Sequence, residues 1–404
     1  MNVAIVGGGA AGFFAALSVK EHHPDASVSI LEKGNGVLRK VKVSGGGRCN
    51  VTNAERSVKE LAKAYPRGGN SLKKAFGVFG TGDTVEWFAK RGVGLAAQDD
   101  GCVFPTSQNS QTVIDCFLAE AAETGIDIRR NRGIAALEES GGRWAVTYAG
   151  DTAATESFDK VIVATGGHPD LKDFDWLIRL GHTVEPPVPS LFTFNMPGEN
   201  IRALQGIVVE GVIAAIQGTS FEAEGTLLIT HWGMSGPVIL KLSSYGARYL
   251  NGKGYEAGIR LNWTGLKNSE SAAGELERTA AANPAKMLSS LRPFSLPDRL
   301  WRFLIDKSGL TPAKKWGELG KKGLNRITAV LTNDSYRLSG RAAFKEEFVT
   351  CGGVSLAEID MATMQSRKRP NLYFAGEVLD IDGITGGFNF QAAWTTGYIA
   401  GKLQ

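Results

Sequence analysis

Three stretches of this chain combine residue types that can do chemistry. The first is Gly7-Gly8-Gly9-Ala10-Ala11-Gly12, a G-x-G-x-x-G turn between the apolar run Val3 to Val6 and a helical stretch from Ala10 to Lys20. Glycines at this spacing let the backbone approach a pyrophosphate and aim a helix N-terminus at its charge. A second apolar strand, Ser27 to Leu31, ends in Glu32, where a carboxylate can accept ribose hydroxyls. The second stretch is Ser44-Gly45-Gly46-Gly47-Arg48-Cys49-Asn50-Val51-Thr52-Asn53. It reads as a polar loop whose amides face an anion or a flat polar ring, with Arg48 adding a charge-assisted bond. The third lies at the far end, where Leu372 to Phe374 runs into Ala375-Gly376-Glu377 and then Gly386-Gly387-Phe388-Asn389-Phe390-Gln391.

Turns of this kind at both ends suggest one cofactor held by both, with other chain inserted between. That suits FAD better than NAD, because FAD is longer and its ring system must be gripped far from the adenosine. Asn50 would then bond a flavin carbonyl or N5. A helix starting near Asn389 would set its positive end against the flavin N1–C2 region. A further run, Asp159 to Ala164, ends in Thr165-Gly166-Gly167 and brings another backbone turn near the dinucleotide. Asp382 sits beside the last turn, with capping that turn as its alternative role.

The elements that must position these residues follow from the pattern. At 404 residues the chain predicts two or three domains. Hydrophobic content of 43% and charged content of 21% describe a soluble globular protein, and the 51 glycines sit in turns, which excludes collagenous and disordered classes. Residues 1–187 alternate strands and helices as the first part of a nucleotide-binding domain, with Ile134 to Glu138 and Trp144 to Tyr148 as a hairpin meander. Pro186-Pro187-Val188-Pro189 reads as the domain exit. Residues 188–265 are β-rich, with strands at Leu191 to Asn195, Gly206 to Ala214, Gly225 to Thr230 and Gly258 to Leu261, a small barrel or sandwich. Residues 266–345 form a helical subdomain, with Glu275 to Ala282, Ala285 to Leu291, Pro297 to Ser308 and Leu324 to Thr332 as helices. The chain returns through Lys345 to Val349, and residues 346–404 complete the nucleotide-binding domain.

Cys49, Cys102, Cys116 and Cys351 show no zinc or C-x-x-C spacing and read as packing thiols; Cys49 is weighted towards packing although it adjoins the polar loop. His22 and His23 follow a helix, and no metal site is expected. No run reaches about 18 apolar residues, so a cytoplasmic protein without a membrane span is expected. The formal charge is +4, yet thirteen Lys/Arg stand against four Asp/Glu between Lys286 and Lys345. That basic segment reads as a solvated helical face, with phosphates or nucleic acid as the competing reading.

With these motifs in hand, the chain resembles the aminoacetone-oxidase-like family of FAD-binding flavoproteins, related to the glutathione-reductase group. The resemblance runs through the first two motifs, Thr230-His231-Trp232-Gly233-Met234-Ser235-Gly236-Pro237, Cys351-Gly352-Gly353-Val354, and Leu372 to Gln391. It implies an α/β fold: a Rossmann-type FAD-binding domain built from both termini, with an inserted β-barrel-like domain and a helical subdomain. It further implies that Gly7, Gly9, Ala10, Ala11 and Gly12 line the pyrophosphate, that Glu32 serves the ribose and that Lys33 lies at the cofactor. Arg39, Lys40, Ser44, Gly45, Gly46, Gly47, Arg48 and Asn50 would flank the cofactor. Ile134 would offer its backbone to adenine, and Thr165 and Gly166 would close over the adenosine half. Gly376, Glu377, Gly387, Phe388, Asn389 and Gln391 would surround the ribityl chain and the flavin pyrimidine edge. Members are associated with aminoacetone oxidation or with reduction of conjugated double bonds in bile-acid intermediates.

The expected function is therefore FAD-dependent hydride transfer with a small organic molecule bound between domains. NAD(P)H is left open as a transient reductant, with oxygen as the other electron partner; no second G-x-G-x-x-G indicates a separate nicotinamide domain. His231 is the candidate for acid–base work, because an imidazole shuttles protons near neutral pH. The alternative reading is an RNA-binding or tRNA-modifying flavoprotein that uses the basic segment, and the oligomeric state is left open.

Overall fold

The computed structural model describes residues 1–150, 154–341 and 349–404. The chain separates into two compact units, Met1–Val188 with Val349–Gln404, and Pro189–Phe348.

The first unit is organised on a seven-stranded sheet. Five neighbouring strands run parallel: Leu372–Phe374, Lys160–Val163, Asn2–Val6, Ser27–Leu31 and Asp127–Arg129. Ile359–Asp360 and Gln365–Ser366 add an antiparallel edge. The central strands are apolar along their length because both faces are covered, and Val3, Ala4, Ile5, Val161, Ile162 and Val163 are fully buried. Val6, Leu31, Val163 and Phe374 all end at the same edge. The turns beginning Gly7, Glu32, Ala164 and Ala375 are therefore neighbours, in the place where open α/β sheets bind ligands.

Helix Ala10–His22 and helix Phe388–Gly401 lie against each other. Their approach depends on missing side chains. A Cβ on Gly397 would sit 2.8 Å from the Ala11 carbonyl oxygen, and one on Gly401 would sit 2.5 Å from the Ser18 Cβ. The Ser18 hydroxyl donates to the Tyr398 carbonyl at 2.6 Å, fixing the pair in register. Behind them Phe14, Trp87, Phe117 and Trp394 form one ring cluster, with Phe14–Trp87 centroids 4.7 Å apart and Phe117–Trp394 5.5 Å apart. The expected hairpin is present as Ile134–Ser140 and Arg143–Tyr148, joined by Thr155–Phe158 in a three-stranded sheet.

The second unit carries a six-stranded antiparallel sheet in the spatial order Phe194–Asn195, Gly233–Ser235, Glu222–Ile229, Val208–Ile216, Glu256–Asn262, Asp334–Ser339. An isolated bridge from Phe194 to Arg341 brings its two ends together into a nearly closed, barrel-like sheet. Val212, Ala214, Leu227, Ile259 and Leu261 fill it, and the helices Asp298–Lys307 and Gly320–Thr332 add Leu300, Trp301, Ile327 and Leu331 to the same core.

Two sequence expectations need correction. The prolines do not end regular structure: Val184–Ser190 is a strand paired with Val349–Val354 in a two-stranded ribbon. A two-stranded ribbon leaves the Val184–Ser190 strand one free edge, where a missing N–H costs nothing. Ala285 to Leu291 is not a helix; only a 3₁₀ turn at Leu288–Ser290 forms. The backbone there is engaged elsewhere, with Leu288 N–H donating to Lys314 O at 2.8 Å and Met287 bridging Lys315. The return strand expected from Lys345 lies mostly outside the described residues. Among the described residues no helix is long and apolar enough to cross a membrane.

Because Gly401 faces Ser18 and the Ala15 carbonyl at van der Waals limits, Gly401→Val should overpack this crossing. The expected cost is about 2 kcal/mol, read as a lower urea midpoint with an unchanged m-value.

Candidate cofactor site

The first turn is held by its own backbone. Gly7 N–H donates to Leu31 O at 2.8 Å, and Gly7 takes φ 112°, which L side chains rarely adopt. A Cβ on Gly12 would collide with the Gly7 carbonyl. Gly9 begins the helix without a side-chain cap and with no acid in the first turn, so the positive helix end is left for another anion. A Cβ added to Gly9 would meet nothing within 4 Å. The turn is therefore both open and electropositive. Glu32 stands beside it, its carboxylate accepting Gly8 N–H at 2.9 Å and Gly34 N–H at 2.7 Å. Arg132 N–H donates to the Glu32 carbonyl at 2.8 Å, which brings the Ile134 strand next to the Glu32–Lys33 corner.

At the neighbouring strand ends, Glu377 links three segments. It accepts Thr350 N–H at 2.8 Å and Lys40 Nζ at 2.7 Å, and a Cβ on Gly167 would lie 2.7 Å from its carboxylate. Thr165 and Gly166 lead into that contact. His168, which sequence reasoning passed over, belongs here. Its Nδ1 lies 3.6 Å from Asp173 and its ring packs edge-on against Phe174. Burial pushes its pKa down and Lys33 adds to the effect, with Asp173 and Glu377 opposing. Its place directly after Thr165-Gly166-Gly167 was the available signal.

The Ser44 stretch is not the uniform loop expected. A helix starts at Arg39, and the backbone leaves helical geometry at Ser44, Gly45 and Gly46. Ser44 Oγ donates to Val41 O at 2.9 Å, and Ser44 O accepts Cys49 N–H at 3.0 Å, which closes the turn. Arg48 stacks its guanidinium 4.2 Å from the Phe104 ring centroid and donates to Gly45 O at 3.2 Å and Gln108 Oε1 at 3.3 Å. Asn50 Oδ1 accepts Val103 N–H at 3.2 Å. Gly46 and Gly47 face open space. Cys49 is fully buried, and burial pushes its thiol up to about 12.

The C-terminal turn is cross-braced. Asn389 accepts Gly383 N–H at 2.8 Å and donates to Gly383 O at 2.9 Å; Asn53 Nδ2 donates to Gly386 O at 3.0 Å. Tyr65 Oη donates to Phe388 O at 2.7 Å, and the fully buried Asp382 accepts from the Nε and Nη2 of Arg67 through its two carboxylate oxygens. Asp382 thus answers a cation, beyond the capping role considered for it. Helix Phe388–Gly401 starts at Gly387 with no side-chain cap and no first-turn acid. Gln391 departs from expectation. It is completely buried, its Oε1 accepting from Thr52 and Thr84 and its Nε2 donating to Thr395, so it braces the helix interior and faces no ligand. Asn389 likewise has its amide committed to the turn.

The structure thus gathers the nucleotide turn, Glu32, Lys40, Thr165, Gly166, Gly376 and Glu377 at one sheet edge, with the Ser44 and Gly387 turns held by Asn50, Asn53 and Tyr65 in the same unit. His231 belongs to the second unit. It is exposed, its carbonyl accepts Arg202 Nε at 2.7 Å, and its ring lies edge-on to Trp232. Among the described residues no group of three or more His, Cys, Asp or Glu could hold a metal.

Residues 1–403 match the family described as HI0933-like protein Rossmann domain. The chain is 28% identical to a 3-dehydro-bile acid delta(4,6)-reductase of Clostridium scindens, covering 99% of this chain and 98% of that protein. It is 29% identical to a ribosomal RNA dihydrouridine synthase of Escherichia coli, covering 98% and 95%. Among solved structures, a 3-ketosteroid delta1-dehydrogenase of Sterolibacterium denitrificans superposes with TM-score 0.51 at 13% identity, covering 99% and 98%, a likeness of fold.

A thiol at about 12 leaves roughly one part in ten thousand as thiolate at pH 8. Iodoacetamide at pH 8 should therefore leave Cys49 unmodified in the folded protein and label it in urea, as read by peptide mass spectrometry.

Proposed function

The chain belongs to the HI0933-like Rossmann-domain family and is an FAD-dependent oxidoreductase; on that footing we propose that it reduces a carbon–carbon double bond conjugated to a carbonyl. The full-length likeness to a reductase of a 3-dehydro-bile acid carries the choice of substrate class. The first unit fits FAD because two uncapped helix starts, at Gly9 and Gly387, stand with open cradles at Gly9, Gly46 and Gly47. When bound, FAD supplies hydride transfer at flavin N5.

The chain's own residues supply the rest. The amides from Gly9 to Gly12 take the pyrophosphate charge. Glu32, already oriented by two backbone amides, uses its remaining lone pairs for the ribose hydroxyls. Lys40 and Glu377 form a neutral pair, so that edge adds little net charge of its own. The uncapped start at Phe388 favours negative charge on the pyrimidine edge. Arg48, committed to Phe104, Gly45 and Gln108, supports the glycine turn, with any bond to pyrophosphate secondary to that. His231 is the proposed proton donor to the carbon beside the carbonyl, and NAD(P)H docking transiently is the proposed reductant.

Anaerobic stopped-flow work on the FAD-loaded protein tests this. NADH or NADPH should bleach the flavin, and a 4-en-3-one or 4,6-dien-3-one should restore its colour. Bleaching by aminoacetone, with no enone restoring colour, would instead favour the amine oxidation implied by the sequence resemblance. Glu32→Ala should weaken FAD retention about tenfold, roughly 1.4 kcal/mol, whereas His231→Ala should keep FAD and lose turnover.

One observation favours a second reading, in which the conjugated double bond is that of a uracil in RNA. Arg302, Lys307 and Arg337 of the basic segment pair with Asp298, Asp334 and Glu256. Lys286, Lys314, Lys315, Lys321 and Lys322 have no ion pair among the described residues, leaving their charge available to phosphates. The Escherichia coli relative agrees with this reading. Neutralising Lys314, Lys315, Lys321 and Lys322 should abolish salt-dependent RNA retardation; no retardation of the unaltered protein at low salt removes the reading.

A further inference from the structure

The second unit contains a cavity of about 550 Å³ between its sheet and helix Gly320–Thr332, within the roughly 300–1,000 Å³ typical of small-molecule sites. Its apolar lining is Ile213, Ala215 and Ala329, and its charged lining is Arg260 and Lys267 against the single acid Glu222. Glu222 lies 3.8 Å from Arg260, the outer limit of an ion pair, with both side chains about half exposed. That contact leaves most of the guanidinium's donors unused.

The lining divides into groups already spent and groups still available. Thr328 and Thr332 donate their hydroxyls to their own helix, to Leu324 O and Thr328 O, each at 2.8 Å. Asn262 bonds the Leu266 carbonyl and the Thr264 hydroxyl and amide. Lys267 and the Asn325 side chain, by contrast, have no hydrogen bond or ion pair among the described residues. Ser269 and the Asn333 side chain are uncommitted in the same way, so the available groups are cationic, amide and hydroxyl donors beside the apolar Ile213, Ala215 and Ala329, and no aromatic side chain lines the cavity. This chemistry suits a compact oxyanion and not a fused ring. Lys321 lies one helical turn before Asn325 on the same face, which extends the positive potential along the helix.

We propose that this cavity is a phosphate-ester site, with Arg260 and Lys267 as its anion clamp and Asn325 as its neutral donor. The proposal is independent of the reaction assigned to the first unit. The phosphate ester has two sources, a free nucleotide or the backbone of an RNA, and they share the same recognition chemistry.

The test is equilibrium binding to intact, FAD-loaded protein at low salt, with three probes: inorganic phosphate, uridine 5′-monophosphate and a labelled single-stranded oligoribonucleotide. The Arg260→Ala/Lys267→Ala double variant should weaken binding at least tenfold, with the flavin spectrum and urea midpoint unchanged. Glu222→Gln should tighten it about threefold by removing the opposing charge, a gain that misfolding cannot produce. Glu32→Ala should leave it untouched, which separates failure here from failure of the flavin assignment. Response of the mononucleotide, or of the oligonucleotide alone, supports the site and identifies the source. No binding by any probe, or binding indifferent to both the double variant and Glu222→Gln, overturns it.

Discussion

The contact between helices Ala10–His22 and Phe388–Gly401 is what the rest of the first unit depends on. It is a contact of backbone on backbone, made by Gly397 and Gly401 against Ala11, Ala15 and Ser18, with Gly376 against the Ala11 Cβ. Dispersion falls off steeply with separation, so removing two side chains gains packing along the whole crossing. The ring cluster of Phe14, Trp87, Phe117 and Trp394 then fills the space behind it. One consequence is positional: both helix starts are set by the same crossing, so neither can shift without the other. Each start lacks a side-chain cap, a local cost that the fold tolerates where an anion is to be received.

Much of this was legible in the sequence because it is local. The strand Val3 to Val6, the glycine turn, the helix and Glu32 follow within one βαβ unit, where apolar periodicity and turn chemistry agree. The hairpin of Ile134–Ser140 and Arg143–Tyr148 and the helices Asp298–Lys307 and Gly320–Thr332 declared themselves in the same way, whereas helix Ser110–Glu123 was not named from the sequence. Partners distant in the chain did not. Gln391 looked like a flavin contact because it follows Gly386-Gly387, yet its amide meets Thr52 and Thr84, more than 300 residues earlier. Arg48 looked available to a phosphate, and Phe104 and Gln108 occupy it. Pro186 and Pro187 were read as breakers because propensity carries no knowledge of which strand edge is free.

Charge distribution follows a similar division. Counting Lys and Arg located a basic segment correctly as composition, but the count treated paired and unpaired cations alike. Lys307 stacks 3.9 Å from the Tyr336 ring and pairs with Asp334, so its charge is largely committed to the fold. Lys314, Lys315, Lys321 and Lys322 keep their charge unpaired among the described residues, and so does Lys267, which lies outside the counted segment and lines the cavity. Electrostatic function therefore rests on which charges remain after the fold has paired the rest.

The first unit's two-part construction also has a consequence for synthesis. Its central strands Lys160–Val163 and Leu372–Phe374 are hydrogen-bonded neighbours, yet about 200 residues separate them. As the chain leaves the ribosome, the second unit is complete while the sheet still lacks a neighbour and helix Ala10–His22 lacks its partner. The apolar face that will meet Gly397 and Gly401 must then wait, exposed or held by a chaperone, until Phe388–Gly401 has emerged. A chain stopped before Phe388 would keep its dinucleotide fingerprint while lacking the second helix start that completes the site.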